Sequence, residues 1–146
     1  DKDANLSDVF RLYPVGRLDK DSEGLVLLTN DGELTNVLTH PRFEHEKEYE
    51  IQIDDHLSRD AKKVLEKGMK LDDEFVQGIT IVNEKRIGRR HLVRVILAEG
   101  KNRQIRRMFG RLGYHVVMLR RVRMGKLSLG SIPQGKWKFV KKSQIV

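Results

Sequence analysis

The most informative stretch of this sequence is residues 16–32, which read GRLDKDSEGLVLLTNDG. Its second half, residues 24–29, is the most apolar run of the chain and ends at Asn30-Asp31-Gly32, which predicts a buried strand followed by a turn. Its first half is polar and charged and predicts a loop leading into that strand. A single aspartate in such a loop is most often a cap or an ion-pair partner, so spacing alone does not single out Asp19.

The rest of the chain alternates strand and helix patterns. Tyr49, Ile51 and Ile53 alternate with polar residues, which predicts a half-buried strand from Lys47 to Ile53. Further predicted elements are a short helix over 33–39, a helix capped by Ser58 and closed by Gly68, a helix capped by Asn102 and closed by Gly113, and strands over 76–82, 91–97, 115–122 and 136–140. Few helices among many strands predict an α+β fold with a mixed, mostly antiparallel sheet.

Length and composition exclude several classes of protein. The chain has 146 residues and no cysteine, so it fits one domain without disulfides, a thiolate nucleophile or a cysteine zinc site. Its longest apolar runs, residues 25–28 and 116–119, are too short for a membrane-spanning helix. It begins at Asp1 with neither an initiator methionine nor an apolar signal region, and we expect a piece of a longer cytoplasmic protein.

Charge is distributed unevenly along the chain. The 29 basic and 21 acidic residues give a net charge of +8, and every acidic residue lies at or before Glu99. Residues 100–146 contain 13 basic residues and no acidic residue. A segment of this kind is typical of a surface that binds a polyanion, and we interpret it as a nucleic-acid surface rather than a merely solvated basic face.

The usual catalytic constellations are missing from the sequence. Five histidines are scattered, with no two at metal-ligand spacing on one predicted element, so no metal site is predicted: His40, His45, His56, His91 and His115. Several carboxylates fall in predicted turns, where they usually cap backbone amides: Asp31, Glu33, Asp72, Asp73 and Glu74. There is no glycine-rich phosphate loop of the nucleotide-binding types and no elbow around a nucleophilic serine.

Three segments, in order, resemble the motifs of a known family. Residues 16–32 resemble the catalytic motif of the RsuA family of bacterial ribosomal-RNA pseudouridine synthases, Lys47-Glu48-Tyr49 resembles its basic-x-Tyr strand, and residues 99–109, EGKNRQIRRMF, resemble its third motif. The resemblance extends from Tyr13 to Val140. It implies a mixed, mostly antiparallel sheet crossed by a basic cleft, and isomerisation of uridine to pseudouridine in RNA without a cofactor.

The resemblance also implies roles for individual residues. Asp19 matches the essential aspartate, Tyr49 the active-site tyrosine that stacks on the base, and Arg106 the basic partner that keeps Asp19 ionised. Arg17 matches a residue that helps to extrude the base. Arg103 departs from related families, which often have histidine there. Ile105 and Leu119 are candidates for the apolar floor of the site.

The substrate must leave its helix before it reacts, because a stacked uridine cannot present its reacting atoms to a carboxylate. Besides Arg17, the residues predicted to contact RNA phosphates are Lys101, Arg103, Arg107, Arg120, Arg121 and Arg123. We expect ribosomal RNA as the partner, of the large (23S) subunit in particular, no membrane, no small-molecule cofactor, and a monomer. Residues 1–146 are interpreted as the catalytic domain, without the small N-terminal S4-type domain that most family members have.

Two other functions compete with this interpretation. A non-catalytic RNA-binding or ribosome-assembly module on the same scaffold would share the basic half of the chain but has no physical need for the Gly16 to Asp19 segment. A metal-dependent nuclease would need clustered ligands, and the sequence spacing argues against them.

Overall fold

The computed structural model describes residues 11–40 and 45–145. Three α-helices lie in these ranges, α1 (Gly32–Thr39), α2 (Arg59–Lys67) and α3 (Gln104–Arg111), and none of them is long and apolar enough to cross a membrane. The strands are β1 (Tyr13–Pro14), β2 (Glu23–Gly24), β3 (Leu28–Thr29), β4 (Lys47–Ile53), β5 (Gly68–Leu71), β6 (Glu74–Gln77), β7 (Thr80–Ile87), β8 (Arg90–Leu97), β9 (Val116–Met124) and β10 (Leu127–Ser128). A 3-10 helix follows at Lys142–Gln144.

The central sheet has the strand order β10-β9-β4-β8-β7, and all of these neighbours are antiparallel. Strand β2 joins β9 in parallel at the side of this sheet. Two small antiparallel pairs, β1 with β3 and β5 with β6, complete the described strands. The prediction of an α+β fold with a mixed, mostly antiparallel sheet is therefore confirmed.

Strand β4 lies in the middle of the sheet and has the predicted bounds. Its apolar positions Ile51 and Ile53 are fully buried, because helices α2 and α3 cover that face of the sheet. Helix α2 begins as predicted, since the Ser58 hydroxyl accepts a hydrogen bond from the Ala61 amide at 3.0 Å, and it ends at Gly68. These elements were predictable because their signals are local: strict alternation in β4, and a cap residue in α2.

A second, smaller core packs the segments on either side of β2 and helix α1 against the end of β9, strand β10 and the C-terminal segment. Its buried residues are Val15, Leu25, Leu27, Leu34, Leu38, Met124, Leu127 and Ile145. The prediction of one buried strand over 24–29 is wrong, because Val26 and Leu28 are exposed and the pairing changes partner within the run. The Leu25 amide donates to Arg121 on β9, whereas the Leu27 carbonyl accepts from Val15 beside β1.

Three further predictions are corrected. The strand over 76–82 divides into β6 and β7, because the chain passes close to the end of α2 at Gly78, and the next amide, of Ile79, donates to the Leu65 carbonyl at 2.9 Å. Helix α3 has Arg103 rather than Asn102 at its N-cap, in the left-handed conformation. Residues 136–140 form no strand, and β10 was not predicted.

Gly24 is a position where only glycine fits. Its φ is +115°, and a Cβ there would overlap the Arg121 carbonyl oxygen and lie 2.6 Å from the Arg121 amide nitrogen. We expect Gly24→Ala to lower the free energy of unfolding by about 2–4 kcal/mol, from backbone strain and overpacking together. Urea unfolding followed by circular dichroism measures this.

Gly110 provides the matched control. It lies in α3, and a Cβ added there would meet no atom of another element within 4 Å in the described part of the chain. Gly110→Ala should therefore raise stability by up to ~1 kcal/mol through helix propensity. Equal effects of the two substitutions would contradict the close packing of β2 on β9.

Candidate active site

The loop of residues 16–22 lies between β1 and β2, beside β9. In the parallel pairing of β2 with β9, Glu23 lies opposite Arg120 and Gly24 opposite Arg121. The loop itself turns tightly, since the Ser22 amide donates to the Asp19 carbonyl at 2.9 Å. The position of Asp19 therefore depends on how firmly the ends of this loop are attached to the sheet.

Arg121 makes that attachment. Its side chain is only 3% exposed, and its Nε and Nη2 atoms donate to the Leu25 carbonyl at 2.9 and 2.8 Å. Its Nη1 atom donates to the Arg17 carbonyl at 3.3 Å. The prediction that Arg121 contacts RNA phosphates is corrected, because its guanidinium is buried and is used by backbone oxygens on both sides of the loop.

Asp19 and Tyr49 line one cavity of about 600 Å³, a size usual for small-ligand sites. The predicted floor residues Ile105 and Leu119 also line it. Its charged and other polar lining includes Arg17, Ser22, Lys47, Glu99, Lys101, Arg103, Gln104 and Arg121. The structure thus joins residues from all three sequence motifs around a single hollow.

Tyr49 has a neutral phenol in this cavity. Burial raises the pKa of Tyr49, and the charge of Asp19 acts in the same direction, while the charge and hydrogen bond of Arg121 act against them. The net effect is a pKa above the ordinary value of 10.0, so the hydroxyl stays protonated at neutral pH.

Lys47 is a cavity residue that the sequence analysis used only as a motif marker. It stands two positions before Tyr49 on β4, and alternation along a strand places such residues on one face. Burial, with a smaller contribution from the charge of Arg121, lowers the pKa of Lys47. The signal that could have identified it is its position two residues from Tyr49 in the strand.

The structure changes the predicted ion pair of Asp19. Its carboxylate is 28% exposed, and the cation beside it is Arg103, with Nη1 3.8 Å from Oδ2. Among the described residues, no ion pair within 4 Å joins Arg106 to Asp19. Arg106 instead donates to the Asp21 carbonyl at 2.7 Å and to the Ser22 hydroxyl at 3.3 Å. Arg103 precedes Arg106 by three residues at the start of α3, and its guanidinium, rather than that of Arg106, lies next to the Asp19 carboxylate.

Asp21 fastens the loop to α3. Its two carboxylate oxygens accept from the two Nη atoms of Arg103, both at 2.9 Å, and Arg106 Nε lies 3.6 Å from Oδ2. The hydrogen bond from Arg103 lowers the pKa of Asp21 to about 2, although desolvation opposes it. Sequence reasoning missed this positioning residue because a loop aspartate gives no local sign of a partner 82 positions away.

The remaining predicted RNA contacts lie in three places. Lys101 and Arg103 line the cavity, and so does Arg17. Arg107 lies in an adjoining hollow of about 530 Å³ that shares Lys101.

Arg120 and Arg123 form ion pairs with Glu50 and Glu48, respectively. Both glutamates are sequence neighbours of Tyr49 on β4, so their side chains point to the opposite face of the sheet from Tyr49. A register shift between Glu48 and Tyr49 leaves Val122 as an extra residue on β9. Because of this extra residue, the side chain of Arg123 lies on the same face of the sheet as Glu48, and that of Arg121 lies on the opposite face. The structure therefore does not bring Arg120 and Arg123 to the cavity.

Comparison with known proteins assigns the family. Residues 1–110 match the family model of RNA pseudouridylate synthases. The chain is 35% identical over 136 residues to the dual-specificity RNA pseudouridine synthase RluF of Escherichia coli K12, covering 93% of this chain and 46% of that protein. It is 40% identical over 137 residues to an uncharacterized RNA pseudouridine synthase of Mycobacterium bovis, covering 92% and 53%. The chain therefore belongs to the RNA pseudouridylate synthase family, as the three motifs predicted.

Solved structures agree with this assignment. A crystal structure of a pseudouridylate synthase superposes with a TM-score of 0.81 at 31% identity, covering 91% of this chain and 57% of that one. An H/ACA ribonucleoprotein bound to a substrate RNA shares the fold, with a TM-score of 0.61 at 20% identity, covering 83% and 41%. The chain spans about half the length of the curated relatives it matches.

The Asp21–Arg103 contact predicts a pH-dependent stability. The folded pKa of Asp21, about 2, lies below its ordinary 3.8, so its stabilisation is present above about pH 4 and is lost as the pH falls toward 2. Asp21→Asn should therefore lower the free energy of unfolding at pH 7, and its deficit relative to wild type should shrink at about pH 2.5. Urea unfolding at both pH values measures this.

Asp73→Asn, at an exposed position between β5 and β6, is the control. Any loss in its free energy of unfolding relative to wild type should be the same at both pH values. If Asp21→Asn gave the same deficit at both pH values, the carboxylate would not be the group that holds the loop.

Proposed function

We propose that this chain isomerises a uridine of ribosomal RNA to pseudouridine, with Asp19 as the reacting carboxylate and 23S RNA as the preferred substrate. The observation that carries the proposal is the single cavity in which Asp19, Tyr49 and the apolar floor of Ile105 and Leu119 meet. A carboxylate, an aromatic ring and a flat apolar floor suit a flipped pyrimidine nucleotide.

The reaction needs few chemical groups. The bond between C1′ and N1 of uridine breaks, the uracil turns, a bond forms between C1′ and C5, and the proton on C5 moves to N1. Atoms and electrons balance without a redox carrier, a metal or a nucleotide. Asp19 acts either as a nucleophile at the sugar or as the base that removes a 2′ proton.

The surroundings of Asp19 suit an anion. The guanidinium of Arg103 lies 3.8 Å from the carboxylate. Arg121 lies beneath the same loop, and its permanent charge cannot be lost, because an arginine does not deprotonate in proteins. Tyr49 keeps its proton and presents an uncharged ring, and stacking on a base contributes ~1–3 kcal/mol.

RNA binding is assigned to the cavity rim. Flipping a nucleotide costs a few kcal/mol, and phosphate contacts supply compensating affinity. Arg17 is exposed on the loop that carries Asp19, and Lys101 and Arg103 line the same cavity from the segment that leads into α3. The proposal also includes a monomeric protein without a small-molecule cofactor, and a cytoplasmic location, which a ribosomal substrate supports.

Asp19→Asn tests the chemistry. The amide keeps the shape of the side chain but cannot act as a nucleophile or a base, so we expect turnover to fall by at least ~10³-fold while the affinity for RNA stays within a few-fold. Release of tritium from RNA labelled at C5 of uridine measures turnover, and filter binding measures affinity.

Glu66→Gln removes a carboxylate from the exposed side of α2, outside the cavity, and should leave turnover unchanged. Wild-type turnover in Asp19→Asn would refute the assignment. Binding without turnover in the wild-type protein on every ribosomal RNA would favour the non-catalytic module instead.

Arg17→Gln tests the assigned RNA surface. Loss of one phosphate contact should weaken binding and reduce the slope of log K against log salt concentration by about 0.7–0.9. Arg123→Gln is the matched change on the other face of the sheet, where Arg123 already pairs with Glu46 and Glu48, and it should leave the slope nearly unchanged. The opposite ranking of the two variants would place the RNA on that other face.

A further inference from the structure

Three potential metal ligands meet at the end of the sheet remote from the cavity. His56 lies between β4 and α2, Glu84 on β7 and His91 on β8. One ligand atom of each lies within 4.8 Å of those of the other two. Sequence spacing predicted no metal site because the three residues come from three different segments, and only the fold brings them together.

Only one of the two carboxylate oxygens of Glu84 has a partner in the cluster. Its side chain is nine-tenths buried, and its Oε1 atom lies 2.8 Å from Nδ1 of His56. Its Oε2 atom is buried and has no hydrogen-bond partner among the residues that the structure describes. A buried carboxylate oxygen without a partner is costly, and such atoms are rare in native proteins.

The backbone around these ligands is firmly positioned. The Tyr114 hydroxyl donates to the His56 carbonyl at 3.0 Å and accepts from the Ser58 amide at 2.9 Å, which holds the segment between β4 and α2. Glu84 lies opposite Val93 in the β7–β8 register, and Val93 shares its face of β8 with His91. Two of the three ligands thus project from the same side of a paired hairpin.

We propose that His56, Glu84 and His91 bind a divalent transition metal, Zn²⁺ in the first place. Two imidazoles and one carboxylate with an open fourth position for water form a recognised zinc ligand set. Around a tetrahedral ion with bonds of ~2.0–2.2 Å the ligand atoms stand roughly 3.4 Å apart. The widest separation in the cluster, at most 4.8 Å, therefore has to shrink, whereas Nδ1 of His56 and Oε1 of Glu84, which are 2.8 Å apart, have to separate slightly. The side chain of His56 is 66% exposed, so its ring has room to turn when the contact with Glu84 is replaced by bonds to the metal. Imidazole ligands disfavour Mg²⁺ and Ca²⁺, which prefer oxygen.

A metal bound at this cluster would stabilise the fold rather than take part in the reaction. Tyr49, which lines the cavity, lies opposite Val95 on β8, and Val95 is four residues of extended strand, or about 13 Å, from His91. A metal there cannot touch the reacting nucleotide. It would instead join the β4–α2 segment to the β7–β8 hairpin, and ligand binding to the folded state alone raises the unfolding temperature.

Equilibrium dialysis of the tag-free protein against Zn²⁺, with metal analysis, tests the proposal. We expect one ion per chain and a rise of several degrees in Tm. Glu84→Gln, which preserves shape, and His91→Ala should each weaken binding at least tenfold, whereas His115→Ala, at an exposed histidine outside the cluster, should not.

Cobalt substitution keeps the test decisive if a variant is unstable. Co²⁺ bound by the wild-type protein should give the visible absorption of a tetrahedral centre, and the same spectrum should persist in His115→Ala. Zn²⁺ binding equal in all variants, or no stoichiometric binding by the wild-type protein, would overturn the proposal and leave His56 and Glu84 as an ion pair only.

Discussion

The hydrogen bonds of the buried Arg121 guanidinium are the interaction on which the position of the loop of residues 16–22 depends. The guanidinium is removed from water and satisfied by the carbonyl oxygens of Leu25 and Arg17, which stand on either side of Asp19. A buried charge without such bonds would cost several kcal/mol, whereas hydrogen bonds to a charged group contribute ~1.5–3 kcal/mol each. Gly24 is the necessary counterpart, since only a residue without a Cβ lets the loop approach β9 this closely.

The same guanidinium shapes the electrostatics of the cavity. It opposes, but does not overcome, the effect of burial on the pKa of Tyr49, and it adds to the effect of burial on the pKa of Lys47. The result is a polar hollow in which the phenol is neutral and the ammonium is less favoured than in water. Asp21 occupies the Nη atoms of Arg103, so Asp19 shares that guanidinium rather than forming a close ion pair with it.

The parts of the fold that could be predicted are those with local signals. Strand β4 and helices α1 and α2 follow from alternation, helical spacing and cap residues, and their bounds agree with the structure. The split of residues 24–29 could not be seen in the sequence, because it reflects a change of pairing partner rather than a change in hydrophobicity.

The sequence predicted which residues line the candidate site, but not all of the contacts between them. Motif positions placed Asp19 and Tyr49 correctly in one cavity, but spacing carries no information about which arginine reaches a carboxylate. The left-handed residue at Arg103 sets where α3 starts, and therefore which of its arginines faces Asp19. One extra residue at Val122 separates Arg121 from Arg123 across the sheet, although two positions along a regular strand would share a face.

Folding of the sheet determines which basic residues are paired with glutamates and which remain exposed. The basic residues of β8 and β9 on the face away from the cavity meet the glutamates of β4: Arg94 lies 2.6 Å from Glu50, and Arg123 lies 3.5 Å from Glu48. Each of these partly exposed pairs adds little stability. Together they cancel positive charge on that face, while Arg17 on the cavity rim is left exposed to solvent. On the function proposed above, an RNA drawn to the chain by its net charge is directed to the face that carries Asp19.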